Sequence, residues 1–181
     1  MPVPPRWTRI LISLVLFGLM ASSQAATSEP TDELKSAIVL GFLRYSEWPR
    51  SASGDTTLTV AVLGRPSLVR VLGRALDGKL VNGRQVRVLE TTIAAKLLSY
   101  QVLYVASDTS AEIKQAVAEA HSRHVLTIGE SNHFLEYGGI VNLLLVDGHM
   151  SFEVNLPALG ETGIEISSKL LRYGQIKGKQ P

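Results

Sequence analysis

The chain contains no cysteine. That removes disulfides, thiolate nucleophiles and every cysteine-based metal or redox centre at once. Several other patterns are also missing from its 181 residues. There is no H-E-x-x-H, no Walker A loop and no G-x-S-x-G nucleophile elbow. The segment after the first apolar strand, "GRPSLVRVLG", lacks the glycine spacing of a dinucleotide fingerprint. After residue 20 no apolar run is long enough to cross a bilayer, which takes roughly 20 residues. Aromatic residues are only 6% of the chain, so each one that sits at an edge or corner stands out.

What is present begins with a leader. Arg6 and Arg9 precede an apolar run at residues 10–20. Small residues follow, with Ser23 and Ala25 at the −3 and −1 positions of a cleavage site. This order reads as a secretory signal peptide at residues 1–25, exporting the chain. Removing it also removes two of the 18 basic residues, leaving 16 against 16 acidic ones. The sequence pI of about 9.0 is therefore no argument for a nucleic-acid partner.

Residues 26–31 form a short flexible lead. Leu34, Ala37, Ile38, Gly41, Tyr45 and Trp48 recur at helical spacing, with Thr31 as cap and Pro49 as stop. Val39, Leu40, Phe42 and Leu43 make this helix apolar on more than one side, so it is either deeply buried or covered by a partner. "LTVAVL" (58–63), "QVRVLE" (85–90), "QVLYVA" (101–106) and "HVLTIG" (124–129) read as strands. Helical stretches at 68–76 and 110–121 lie between them. Strands alternating with helices predict an α/β three-layer α/β/α sandwich with a mostly parallel sheet.

Asp147-Gly148 between two apolar runs predicts a C-terminal antiparallel β-hairpin with a two-residue turn, pairing Val146 with His149. One face then carries Val141, Leu143, Leu145, Met150, Phe152 and Val154 and should pack on the core. On the other, Glu153 falls opposite Asn142, with Asn155 two residues along, as a polar network at the foot of the hairpin. His149 and Glu153 lie about 13 Å apart along one strand and cannot share a metal. Gly138-Gly139 before the hairpin calls for unusual backbone angles or a close approach.

Three further groups are candidates. His121 and His124 have metal-like spacing but straddle a helix end, and no metal site is expected. Arg65, Arg70, Arg74, Lys79, Arg84 and Arg87 are six cations in 23 residues opposed only by Asp77. They make either a solvated face or a patch for an acidic protein surface or anionic lipid headgroups, with Arg70 and Arg74 one turn apart. Ligands of open α/β sheets sit beyond the carboxyl ends of strands. There the most polar loop is "GESNHF" (129–134), which makes Glu130, Ser131, Asn132 and His133 the candidate ligand pocket. Glu153 or His133 as a hydrolytic residue finds no supporting constellation.

Taken in order, the aromatic-rich "FLRYSEWP" (42–49), "VNGRQVRV" (81–88), "YQVLYVAS" (100–107), the G-G strand, "FEVN" (152–155) and "SSKLL" (167–171) resemble the YfiR-like periplasmic family, formerly a domain of unknown function. The resemblance covers residues 32–173 and leaves 174–181 as a basic tail. It implies a secreted, often dimeric α/β regulator without enzymatic activity or cofactor. Such a regulator restrains an inner-membrane diguanylate cyclase through its periplasmic sensor domain, lowering cyclic-di-GMP and biofilm formation. The redox control available to cysteine-bearing relatives is closed to this chain. Phe42, Tyr45, Trp48, Arg70 and Arg74 are the candidate partner-binding residues, since aromatic and arginine anchors dominate interfaces. The alternative is a periplasmic small-ligand sensor using the "GESNHF" loop.

Overall fold

The computed structural model describes residues 30–49, 56–93 and 99–178. Residues 1–29, which hold the expected signal peptide and most of the expected flexible lead, and residues 50–55, 94–98 and 179–181 lie outside the described residues. The chain forms a mixed α/β domain around one curled eight-stranded sheet.

Helix α1 (Pro30–Tyr45) is followed by β1 (Ser46–Glu47), β2 (Thr57–Leu63), α2 (Pro66–Leu76), β3 (Leu80–Val81), β4 (Arg84–Thr91) and β5 (Val102–Val105). Next come α3 (Ser110–His121), β6 (Leu126–Gly129), β7 (Val141–Val146), β8 (His149–Asn155), α4 (Leu156–Thr162), β9 (Glu165–Ile166), α5 (Ser168–Leu171) and β10 (Gln175–Lys177). The sheet order is β10-β8-β7-β6-β5-β2-β4-β3, and β1 pairs with β9 in a separate two-stranded ribbon. From β4 through β2, β5 and β6 to β7 every pairing is parallel. The β7–β8 and β4–β3 pairs are antiparallel.

The central strands are apolar on both sides because both sides are covered. Leu58, Val60 and Val62 of β2 face a cluster shared with Val39, Phe42 and Leu43 of α1 and Leu68 and Leu72 of α2. Ala61 and Leu63 face a second cluster with Ile113, Ala116 and Val117 of α3. Alternation along one strand thus divides the core between two faces of the sheet.

Several local expectations change. Helix α1 stops at Tyr45, short of Trp48, because Ser46 and Glu47 leave the helix to pair with Ile166 and Glu165. It starts at Pro30, so Thr31 lies inside the first turn rather than capping it. Helix α2 starts at Pro66 with Arg65 at the cap position. Proline suits that first position because its missing N–H would have no helical partner. The stretch expected as a basic tail supplies β10, which runs parallel to β8 from Gln175 opposite Glu153 to Lys177 opposite Asn155.

The hairpin register is the one the sequence specifies, with Val146 opposite His149 and Asn142 opposite Glu153. Asp147 and Gly148 both adopt positive φ, at 50° and 77°, as a type I′ turn requires. Its apolar face is buried only at the base. Val141, Leu143, Phe152 and Val154 are in the core, whereas Leu145 is 60% exposed at the tip. Strand alternation fixes which way a side chain points, but not how far the layer covering it extends.

The two glycines ahead of β7 serve different needs. Gly138 has φ +88°, a conformation side chains disfavour. A Cβ on Gly139 would lie 2.2 Å from the Phe134 ring, and one on Gly129 2.3 Å from it. The buried phenyl ring of Phe134 is seated against both.

Candidate functional site

Sheet order reverses direction at β2. The chain steps from β2 to β4 on one side, then returns to place β5 and β6 on the other. At such a point the carboxyl ends of neighbouring strands open a crevice. Gly64 follows β2 with φ +91°, and a Cβ there would sit 3.1 Å from the Ala106 carbonyl oxygen. This close approach lets the chain turn sharply, so that Arg65 reaches back over the strand ends.

Arg65 meets Glu130, the residue immediately after β6. Helix α1 contributes Asp32 and Lys35, one turn apart on its buried side. Arg65 Nη2 lies 3.2 Å from Asp32 Oδ1 and 3.1 Å from Glu130 Oε1. Lys35 Nζ lies 3.1 Å from Asp32 Oδ1 and 2.5 Å from Glu130 Oε2. The four charges alternate around a closed ring and sum to zero. Tyr104 of β5 donates its hydroxyl to Glu130 Oε2 at 3.4 Å. Burial, reinforced by the negative charge of Glu130, holds the Tyr104 phenol well above the ordinary value of 10.0.

Of this tetrad, the sequence puts Arg65 and Glu130 at carboxyl ends of strands but names only Glu130 as a candidate pocket residue. Arg65 otherwise reads as one of a basic run, and Asp32 and Lys35 are not singled out as site residues. Two signals point to the others. Asp32, Lys35 and Ser36 fall on the same helical stripe as Val39 and Phe42, which puts charge on a buried face. Arg65 and Glu130 each closely follow the last residues of strands that become near neighbours.

Glu130 also forms part of an adjoining cleft of about 350 Å³ lined by Asp108, Ser110, Ile113, Glu130, Ser131, Asn132, His133 and Tyr137. The structure therefore brings all four "GESNHF" pocket candidates to one concavity, beside the start of α3. Tyr137 donates to Ser110 Oγ at 3.2 Å, and Lys114 sits 4.7 Å from the Tyr137 ring centre. His133 Nδ1 lies 3.0 Å from Glu136 Oε2 at the rim. The Ser131 hydroxyl is buried without a hydrogen-bond partner among the described residues.

The hairpin-foot residues adjoin without forming a mutual network. Glu153 pairs with Lys177 of β10 at 3.0 Å. Asn155 caps α4 by accepting from the Ala158 N–H at 3.2 Å and donates to the Leu135 carbonyl. Asn142 is buried, and its Oδ1 has no partner among the described residues. A hairpin register cannot reveal partners supplied by β10 and α4.

The five partner-binding candidates separate. Phe42 is wholly buried and meets Phe152 edge-on, with centroids 5.1 Å apart. It therefore offers no surface to a partner, because its side chain fills the space between α1 and β8. Trp48 is half-buried and donates its indole N–H to the Gln101 carbonyl at 3.1 Å. Tyr45, 46% exposed, and Arg70 and Arg74 of α2 are at the surface. The apolar excess of α1 is partly covered from within the chain, since Leu170 of α5 lies over Gly41.

His121 and His124 diverge. The first pairs with Glu161 at 3.4 Å, and the second meets the Thr162 carbonyl at 2.7 Å from a positive-φ backbone. Among the described residues no group of three or more His, Asp or Glu side chains is placed to hold a metal. None of the described helices is long and apolar enough to cross a membrane.

Comparison with known proteins adds three findings. A family model described as YfiR/HmsC-like matches residues 32–175. No curated protein sequence matches the chain. Among solved structures, a conserved domain protein from Vibrio cholerae O1 biovar El Tor str. N16961 superposes with a TM-score of 0.56 at 14% identity. That match covers 80% of this chain and 59% of the other, so this chain spans a little over half of its neighbour's length. At that identity the likeness concerns the fold alone.

Proposed function

The chain belongs to the YfiR/HmsC-like family, and from that membership we propose that it is a non-enzymatic periplasmic regulator. It represses a membrane-bound signalling enzyme, a diguanylate cyclase, through that enzyme's periplasmic domain, lowering cyclic-di-GMP and biofilm formation. The observation that carries this reading is the family match across residues 32–175, nearly all of the described domain. The chemistry at the sheet's carboxyl edge is in keeping with it. The charged groups at the strand ends are tied into mutual ion pairs rather than held free to attack a substrate.

Repression needs only a difference in affinity for two states of the partner. Tyr45, exposed at the end of α1, and the adjacent Trp48 corner are the proposed protein contact. The decisive experiment measures cellular cyclic-di-GMP after deletion, with complementation by the whole chain and by a version lacking residues 1–25. The expected result is a rise on deletion, reversed only by the exported form. An unchanged level, or rescue by the leaderless form, refutes the reading. Tyr45→Ala should lose repression while the protein remains folded and exported.

A second reading, a periplasmic small-ligand sensor, is favoured by one observation. The cleft gathers Glu130, Ser131, Asn132 and His133 beside Tyr137. Replacing Asn132 and His133 with alanine should then abolish the signal response and leave basal repression intact.

A further inference from the structure

Helix α1 packs against both α2 and α5, so the three form one outer layer on the sheet. The side chains that point away from the sheet there are unusual for a protein whose exported chain has balanced charge. Arg44 of α1, Arg70 and Arg74 of α2, and Lys169 and Arg172 of α5 and its cap are all exposed. None of the five side chains has an ion-pair partner among the described residues. The acids of these elements do not offset them. Asp32 is held in the tetrad, which leaves Glu33, and Asp77 just beyond α2 accepts from the Val88 N–H. The same helices also carry large apolar groups open to solvent, with Leu34 of α1 49% and Tyr173, just beyond α5, 78% exposed. The opposite side of the sheet is mixed in sign, with Asp108, Glu112, Glu119 and Glu136 alongside Lys114 and Arg123.

We infer that the outer face of the α2–α1–α5 layer is a membrane-apposed surface that binds anionic phospholipid headgroups. Clustered Lys and Arg at the level of the headgroups, interspersed with apolar and tyrosine side chains that enter the interface, are the chemistry an anionic bilayer selects. A broad cationic face favours a bilayer over a single acidic side chain because headgroups present diffuse charge to all five cations at once. In this orientation the cleft beside α3 faces away from the bilayer. The Tyr45–Trp48 corner lies at the rim, where a membrane-anchored partner would meet it. The inference takes the exported location from the proposed function but does not depend on the partner's identity.

The test uses the chain from residue 26 onward and flotation with vesicles of phosphatidylcholine and phosphatidylglycerol at about 3:1, against phosphatidylcholine alone. Binding to the first only, weakening steeply as salt rises, is the expected result. Each neutralised cation lowers partitioning about fivefold, so Arg70→Gln with Arg74→Gln should cost roughly 25-fold. Lys169→Gln with Arg172→Gln should do the same. Lys114→Gln with Arg123→Gln, on the opposite face, should change nothing. All pairs are exposed, and circular dichroism melts check that they fold. Absence of binding to the anionic vesicles at low salt overturns the inference, as does an equal loss from the opposite-face pair. So does indifference to vesicles combined with Arg70- and Arg74-dependent binding of polyglutamate, which would make the face a protein-docking surface. Vesicle binding without any cyclic-di-GMP effect on deletion would uphold this inference while refuting cyclase repression, so the two can fail separately.

Discussion

Replacing Lys35 with methionine while keeping Glu130, and then replacing both, isolates the ring of charge at the strand ends. In the single variant Asp32 and Glu130 share Arg65 as the one cation left in the ring. Lys35 and Asp32 side chains are about nine-tenths buried, whereas Glu130 and Arg65 retain 25% and 33% exposure. Removing one partner of a fully buried pair costs about 3–5 kcal/mol. Solvent at Glu130 and the remaining contacts of Arg65 lower this to about 2–3 kcal/mol. In a domain of this size that is a melting-temperature drop of about 4–12 °C. Glu130→Gln alone leaves an uncompensated positive charge and should cost about 1–2 kcal/mol. The double variant leaves Asp32 and Arg65 as a neutral pair. It should therefore be more stable than the sum of the single losses by about 1–2 kcal/mol. Urea denaturation of the four proteins in the cycle measures this, with the midpoint moving and the slope unchanged. Added salt should leave the coupling largely intact, because buried pairs are screened little. Additivity within the error of the cycle would refute the idea that the four charges act as one unit.

Three other expectations follow from particular contacts. Gly139→Ala should destabilise the fold by about 1–3 kcal/mol, read by thermal melting, because its Cβ would overlap the seated Phe134 ring. Phe42→Ala should cost about 3–5 kcal/mol as a core truncation, while Tyr45→Ala should stay within about 0.5 kcal/mol in the same denaturation assay. The Tyr104 phenol titrates above 10.0 in the folded protein, so on alkalinisation the unfolded chain releases that proton first. Stability from this group is therefore constant below about pH 10 and falls above it, by up to about 1.4 kcal/mol per pH unit. Tyr104→Phe should flatten this alkaline decline, with a residual slope from Tyr100, whose phenol burial also raises.

What the sequence discloses depends on how local each determinant is. Asp147-Gly148 sets the hairpin register, because only a few residue types accept positive φ at two adjacent positions. Helix α3 is legible to the residue from its own apolar spacing. The "GESNHF" loop is found by position, since strand ends in α/β sheets converge whatever their sequence. The tetrad is not, because its members come from α1, the end of β2 and the end of β6, and no spacing rule links them. Phe42 misleads for a related reason. An aromatic residue in an over-apolar helix serves a core or an interface equally well by pattern, and the choice depends on Phe152 from the far end of the domain. Strand β10 escapes notice because "QIK" is too short to announce itself and is held by pairing with β8.

The same dependence on distant segments sets the order of assembly. Helix α1 is made before any strand of the main sheet, yet its side chains close on Glu130 and Phe152, and Ser167 donates its N–H to the Tyr45 carbonyl. A chain emerging from the ribosome can set its first helix against β2 and α2 early but cannot complete that packing until almost all of the domain has been synthesised. Contacts of such long sequence separation also slow folding, because loop closure precedes the gain. Late completion of that packing would keep the nascent domain loosely closed, the condition in which a polypeptide can still be threaded across a membrane.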